Sequence, residues 1–132
     1  MQDLSFIEIA NRLNKFIIPR FDLIIGIANG GIIPAALIAY KLGCEFKRIK
    51  INYRDEENQP RFENPKILQI INDKIDGKKI LIVDDVSVSG KTLNEAIKLF
   101  YGNDIKTFVF KGKADFVLFP EITTCVNWPW KK

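Results

Sequence analysis

One stretch constrains the fold more than any other: Ile80-Leu81-Ile82-Val83, then Asp84-Asp85, then Val86-Ser87-Val88-Ser89-Gly90-Lys91-Thr92. Four consecutive apolar residues bounded by polar ones read as a strand buried on both faces, as in a parallel sheet. The small, hydroxyl-rich turn that follows leads into a helix beginning near Lys91. This order puts two acids at the carboxyl end of a buried strand. It also puts free backbone N–H groups and hydroxyls at the start of the next helix. One end suits a vicinal diol and the other a phosphate. A ribose 5-phosphate carries both.

Three simpler readings compete. Ser89-Gly90-Lys91-Thr92 resembles the end of a Walker A loop, but that loop needs a glycine where Asp85 stands. Ile80 to Asp85 resembles the opening of a response-regulator receiver, which needs a further doubly wound stretch after its acids; too few residues follow. A plain buried strand with a polar turn explains the apolar run but not two adjacent acids. Like charges side by side repel unless solvent, a cation or a ligand neutralises them.

The chain has 132 residues, 47% hydrophobic and 27% charged, which reads as one globular domain over 1–132 with a sizeable core. Each apolar run is broken by a polar residue before it reaches membrane-span length. The start of the chain lacks a basic segment followed by an apolar one, so no secretory signal is expected. Cys44 and Cys125 are too few for a disulfide framework or a zinc site, and a cytoplasmic location is expected. The net charge of +4 is spread over 20 basic residues; no concentrated basic stripe points to nucleic acid, and Lys131-Lys132 reads as a solvated tail. No histidine is present, which excludes histidine-dependent triads.

Phe6, Ile9, Ala10, Leu13, Phe16 and Ile17 recur at helical spacing, and Ser5 with Glu8 forms a capping box, predicting a helix over 5–17. Residues 23–28 read as a buried strand broken by Asn29-Gly30-Gly31. A helix opens at Pro34 and closes at Gly43. Residues 46–52, 67–71, 79–83 and 105–110 read as strands, 92–101 as a helix, and 116–118 and 124–126 as short late strands. The polar stretch 53–65, with two prolines, reads as a long mobile loop. The alternation predicts an α/β domain with a mainly parallel sheet. Ligands of such sheets bind beyond the carboxyl ends of strands where strand order reverses, so loops 29–31 and 84–92 are expected to face one crevice.

With these residues in view, Ile80 to Thr92 resembles the phosphoribosyl pyrophosphate (PRPP) signature of the type I phosphoribosyltransferases. Gly26-Ile27-Ala28-Asn29-Gly30-Gly31-Ile32-Ile33-Pro34-Ala35 resembles that family's pyrophosphate loop, and Tyr53-Arg54-Asp55-Glu56 lies where the family carries a flexible catalytic loop. The resemblance spans about 20–130. It implies a three-layer fold, a mainly parallel sheet flanked by helices with a small C-terminal hood that recognises the base. By the same resemblance Asp84 and Asp85 accept the ribose hydroxyls, through the water shell of Mg²⁺, which takes few carboxylates. Val86, Ser87, Val88, Ser89, Gly90, Lys91 and Thr92 would wrap the 5-phosphate, and Asn29, Gly30 and Gly31 would receive the pyrophosphate on bare amides. Tyr53 and Arg54 would act on the leaving pyrophosphate from the closing loop.

Lys111, Asp115-Phe116-Val117 and Cys125-Val126-Asn127-Trp128-Pro129-Trp130 resemble the end of the short xanthine–guanine type. That similarity implies a 6-oxopurine base, with Lys111 on its exocyclic oxygen and Cys125, Val126 and Trp128 around it. Three positions depart from the family. Val88 stands where 6-oxopurine enzymes place an acid beside the purine N7. Cys125 takes the place of the stacking aromatic, for which Trp128 or Phe119 would substitute, and Asn29 stands where a basic residue is frequent. Two hypotheses follow: a Mg²⁺-dependent PRPP:nucleobase transferase, for a 6-oxopurine or else adenine or a pyrimidine, or a PRPP- or nucleotide-binding regulatory module on the same fold. The family implies a homo-oligomer, dimer or tetramer.

Overall fold

A computed structural model describes residues 1–52, 66–69 and 74–131. In chain order the elements are β1 (Gln2–Asp3), α1 (Phe6–Lys15), β2 (Leu23–Ala28), α2 (Ile32–Leu42), β3 (Glu45–Asn52), β4 (Lys66–Gln69), β5 (Lys79–Ser87), α3 (Lys91–Leu99), β6 (Asp104–Gly112), β7 (Phe116–Val117) and β8 (Val126–Asn127).

Local chemistry sets most of these boundaries. Ser5 caps α1 by accepting the Glu8 N–H at 3.1 Å, and Ile9 and Leu13 are buried one turn apart. The helix stops short of its expected end at residue 17. Pro19 disfavours helical geometry at Ile18, and Phe16 is already extended, leaving Ile17 exposed. Gly43 closes α2 in the left-handed conformation, φ 67°, donating its N–H to the Ala39 carbonyl at 2.8 Å.

The main sheet runs β4-β3-β2-β5-β6-β7, with every neighbouring pair parallel except β3 and β4. Alternate residues feed two cores. Ile24, Leu81, Val83, Phe108 and Phe110 pack with α1 and α2 on one face; Ile25, Ile80, Ile82, Ile49 and Val109 pack with α3 on the other. This is the expected three-layer α/β arrangement. Strand order reverses between β2 and β5, so the loops leaving these strands border one crevice.

Two further features differ from the sequence reading. β5 does not end at Val83 but runs to Ser87, because β6 goes on pairing beside it, with Val86 opposite Lys111 and Ser87 opposite Gly112. The two acids therefore lie inside the strand's last turns of pleat. The late strand sits at 126–127 rather than 124–126 and pairs in parallel with β1, which local pattern did not reveal. Gln2 N–H donates to the Cys125 carbonyl at 2.9 Å, tying the chain's opening to the hood segment.

Candidate active site

Asp84 and Asp85 both bend toward the carboxyl end of β5. Asp84 Oδ1 accepts the Asp85 N–H and Asp85 Oδ1 accepts the Val86 N–H, each at 2.8 Å. Burial raises the Asp84 carboxyl well above the usual range, and the neighbouring Asp85 charge raises it further. A cation or a hydroxyl donor arriving at this pair would relieve both effects.

The loop after β2 reaches the same place. The Ala28–Asn29 peptide is cis, and Gly31 N–H donates back to the Ile27 carbonyl at 2.7 Å. Gly30 lies against Asp85: a Cβ there would sit 2.5 Å from Oδ2 and 2.7 Å from Oδ1. Gly31 is as confined, since its Cβ would lie 2.5 Å from the Val83 carbonyl oxygen. Glycine is required here by close approach of the loop to β5 rather than by φ. The loop 29–31 and the acid pair, both expected at strand carboxyl ends, thus lie against each other.

After Ser87 the chain turns through Val88, Ser89 and Gly90 into α3. Gly90 takes φ 82° and no side chain caps the helix, whose first turn has no acid. Ser89 Oγ accepts the Lys91 N–H at 3.3 Å. An uncapped helix start with serine and threonine hydroxyls beside it is suited to an anion. Val88 is 78% exposed, an aliphatic side chain offered to solvent beside the acids. Gly112, which sequence reasoning passed over, holds this turn from the neighbouring strand. Its φ is 111°, any Cβ would collide with the Ser87 carbonyl, and the Lys113 N–H donates to that carbonyl at 2.8 Å.

The hood segment is placed differently from simple expectation. Lys111 is half-buried on β6, opposite Val86 in the register. Cys125 is exposed and Val126 half-buried. Trp128 is 3% exposed, stacked on Trp130 with centroids 5.3 Å apart and edge-on to Phe110. Phe119 is equally buried, with the Arg12 guanidinium 4.5 Å above its ring. Both rings serve the core, so neither stands in for an exposed stacking aromatic at Cys125. Asp115 holds the start of β7, accepting from the Thr107 N–H at 2.9 Å and from its hydroxyl at 3.0 Å. Tyr53 and Arg54 lie outside the described residues.

Lys131 is the clearest correction. Read as part of a solvated tail, it instead places its ammonium 2.6 Å from Asp85 Oδ2, an ion pair rather than an aligned hydrogen bond. No local signal marks it, because a lysine pair late in a chain usually is solvated. Among the described residues no group of three or more Asp, Glu, Cys or His side chains converges. A hard cation here would take the two carboxylates and complete its shell with water or ligand oxygens. No helix among the described residues is long and apolar enough to cross a membrane.

Comparison with known proteins agrees with this fold. A family model described as phosphoribosyl transferase domain matches residues 5–114. A transcriptional regulator, GfcR of Archaeoglobus fulgidus, is 36% identical over 86 residues, covering 64% of this chain and 43% of its own length. An adenine phosphoribosyltransferase of Thermotoga neapolitana is 34% identical over 123 residues, covering 86% of this chain and 72% of its own. The crystal structure of a purine phosphoribosyltransferase from Pyrococcus horikoshii superposes with TM-score 0.73 at 25% identity, covering 98% of this chain and 93% of that one. The chain spans under half the length of the first curated relatives it matches.

Proposed function

Because the chain belongs to the phosphoribosyl transferase domain family, we propose that it transfers the 5-phosphoribosyl group of PRPP to a nucleobase, releasing pyrophosphate. The observation that carries this reading is the approach of Gly30 to the Asp85 carboxylate, with Cβ clearance of only 2.5 Å. It brings the Cβ-free backbone of the 29–31 loop, open to close approach by an anion, against acids suited to a diol, with the uncapped start of α3 close in sequence to those acids. The three chemical groups of PRPP each have a counterpart.

The residues fit a Mg²⁺ ion, since burial and the neighbouring Asp85 charge both push the Asp84 carboxyl up, and a divalent cation would offset that crowding of charge. When bound, the ion would neutralise charge on the pyrophosphate. Asp84 and Asp85 would hold the ribose hydroxyls directly or through the ion's water. Gly30 and Gly31 would let the pyrophosphate approach the backbone, and Val86 to Thr92 would hold the 5-phosphate. Displacement at the anomeric carbon through an oxocarbenium-like state then requires positioning, leaving-group stabilisation and water exclusion. Tyr53 and Arg54 are proposed to serve the second and third of these needs. Lys111 is proposed to read the base, with Cys125, Val126 and Trp128 shaping its surroundings, and a 6-oxopurine is the preferred substrate. The active unit is proposed to be residues 1–132 as one domain, in a cytoplasmic homo-oligomer that binds neither nucleic acid nor membrane.

A second reading is favoured by one position. Val88, 78% exposed, cannot exchange a proton with a purine nitrogen. A module that binds PRPP or a nucleotide without turnover would tolerate it, and one relative is a transcriptional regulator. The test is incubation with PRPP, Mg²⁺ and guanine, xanthine, hypoxanthine, adenine, uracil or orotate, reading nucleotide formation. Product from one base supports the transferase and names its substrate. PRPP binding without product from any base supports the regulatory module. Full turnover by the Asp84→Asn, Asp85→Asn double variant, or for a regulatory module its unchanged PRPP affinity, would sink the site assignment.

A further inference from the structure

The proposed crevice must hold a polyanion beside two acids, which calls for positive charge from elsewhere in the fold. The ion pair described on those acids comes from Lys131, far along the chain. Its ammonium is 2.6 Å from Asp85 Oδ2, the same oxygen against which Gly30 is packed. Lys131 and the 29–31 loop therefore flank one carboxylate.

The lysine is delivered by a built element rather than a trailing end. Trp128 and Trp130 stack with planes 8° apart, and the Lys131 N–H closes the turn onto the Trp128 carbonyl at 3.1 Å. Trp130 is further wedged between Phe6 and Phe110, at 6.0 and 5.8 Å between centroids. The buried Trp128 and the half-buried Trp130 packed against the core fix the backbone from which the ammonium projects. Only the head of the side chain needs to move, and at 54% exposure it is free to turn toward a ligand while its stem stays placed.

Resting on the transferase or PRPP-binding reading above, we propose that Lys131 is a further binding residue of this site, supplying its ammonium to the pyrophosphate of PRPP seated on Gly30 and Gly31. In the free protein Asp85 is its counter-ion. With ligand present, the ammonium spans the carboxylate and the pyrophosphate oxygens, offsetting the repulsion between them.

The test compares wild type, Lys131→Met and Lys131→Arg in titration calorimetry with Mg²⁺ and three probes: PRPP, inorganic pyrophosphate and ribose 5-phosphate. Loss of one ammonium contact should weaken PRPP and pyrophosphate roughly tenfold in the methionine variant, with recovery to within about threefold in the arginine variant. Ribose 5-phosphate affinity should change little in either variant, which separates pyrophosphate binding from a merely structural role, since loss of the Asp85 counter-ion would lower stability without discriminating between the probes. Unchanged or tighter pyrophosphate binding by Lys131→Met would overturn the proposal, as would an equal loss for ribose 5-phosphate. If wild type binds neither PRPP nor pyrophosphate, the functional reading itself falls and takes this one with it. Normal PRPP binding by both wild type and Lys131→Met refutes the role of Lys131 alone.

Discussion

Replacing Gly30 with alanine asks whether the two loops form one site. The new Cβ would meet Asp85 Oδ2 at 2.5 Å and both Oδ1 and Cγ at 2.7 Å. Favourable nonbonded contact begins at about 3.5 Å, so the carboxylate has to retreat by about 1 Å. Retreat disrupts its bond from the Val86 N–H at 2.8 Å and its ion pair with Lys131 at 2.6 Å. Overpacking costs about 1–3 kcal/mol in general. Because the obstacle is a side chain that can rotate rather than backbone, about 1–2 kcal/mol is expected, a fall of roughly 3–8 °C in melting temperature for a chain of this size.

The effect on ligand binding and turnover should be larger. A displacement of about 1 Å in a positioning group can cost on the order of 10²-fold in rate. The assay is PRPP affinity by calorimetry alongside thermal unfolding, for Gly30→Ala, Asp85→Ala and the double variant. If the clash is with the carboxylate, the two substitutions will couple, and the double variant will be more stable than the single effects add up to. Gly43→Ala is the control: nothing lies within 4 Å of its Cβ, and its φ of 67° makes it a pure backbone penalty. It should lose about 1 kcal/mol with PRPP affinity intact. Wild-type PRPP affinity in Gly30→Ala, or strict additivity in the cycle, would refute the account of the crevice.

Three further expectations follow from separate features. Asp84→Asn removes a carboxyl whose pKa is held well above 3.8, so above that value the folded wild type binds more protons than the unfolded chain and loses stability as pH rises. The variant should therefore be more stable than wild type without ligand near neutrality, with a flatter pH dependence in urea unfolding; a variant less stable at neutral pH would contradict this. Lys111→Ala should raise the KM for the base roughly tenfold and that for PRPP by less than about twofold, and equal effects would remove its base-reading role. Arg12→Ala deletes a bond to the Leu118 carbonyl at 2.9 Å, the pairing with Glu121 and the cover over Phe119. It should cost about 1–2 kcal/mol in urea unfolding, mostly from the carbonyl bond and packing, whereas Glu121→Gln should cost under about 1 kcal/mol because that pair is solvent-exposed.

The elements legible in the sequence were those whose signals are local. Ser5 and Glu8 announced α1 because a capping hydroxyl and its N–H lie within one turn. The apolar runs at 23–28 and 80–83 announced parallel strands, and the glycine and hydroxyl turns after them announced loops at strand carboxyl ends. The Asp84–Asp85 pair was visible because adjacent acids are costly without a partner. Strand ends were read less well. Of Asp84 to Ser87 only Val86 favours extended structure, and the strand continues there because β6 supplies a hydrogen-bonding edge.

The alternation of strands and helices, the acids and the turn chemistry of the candidate PRPP site are each written within a few neighbouring residues and so are legible along the chain. Which of those pieces touch is set by three-dimensional packing. Gly30 against Asp85, Gly112 against Ser87, β1 beside β8 and Lys131 on Asp85 all join residues distant in the chain. Their partners are chosen by sheet order and core packing, and a lysine or glycine carries no local mark of the neighbour that a fold will bring to it. Lys131 shows the difference most directly: alone it is a solvated charge, and the stacking of Trp128 on Trp130 makes it part of the acid pair.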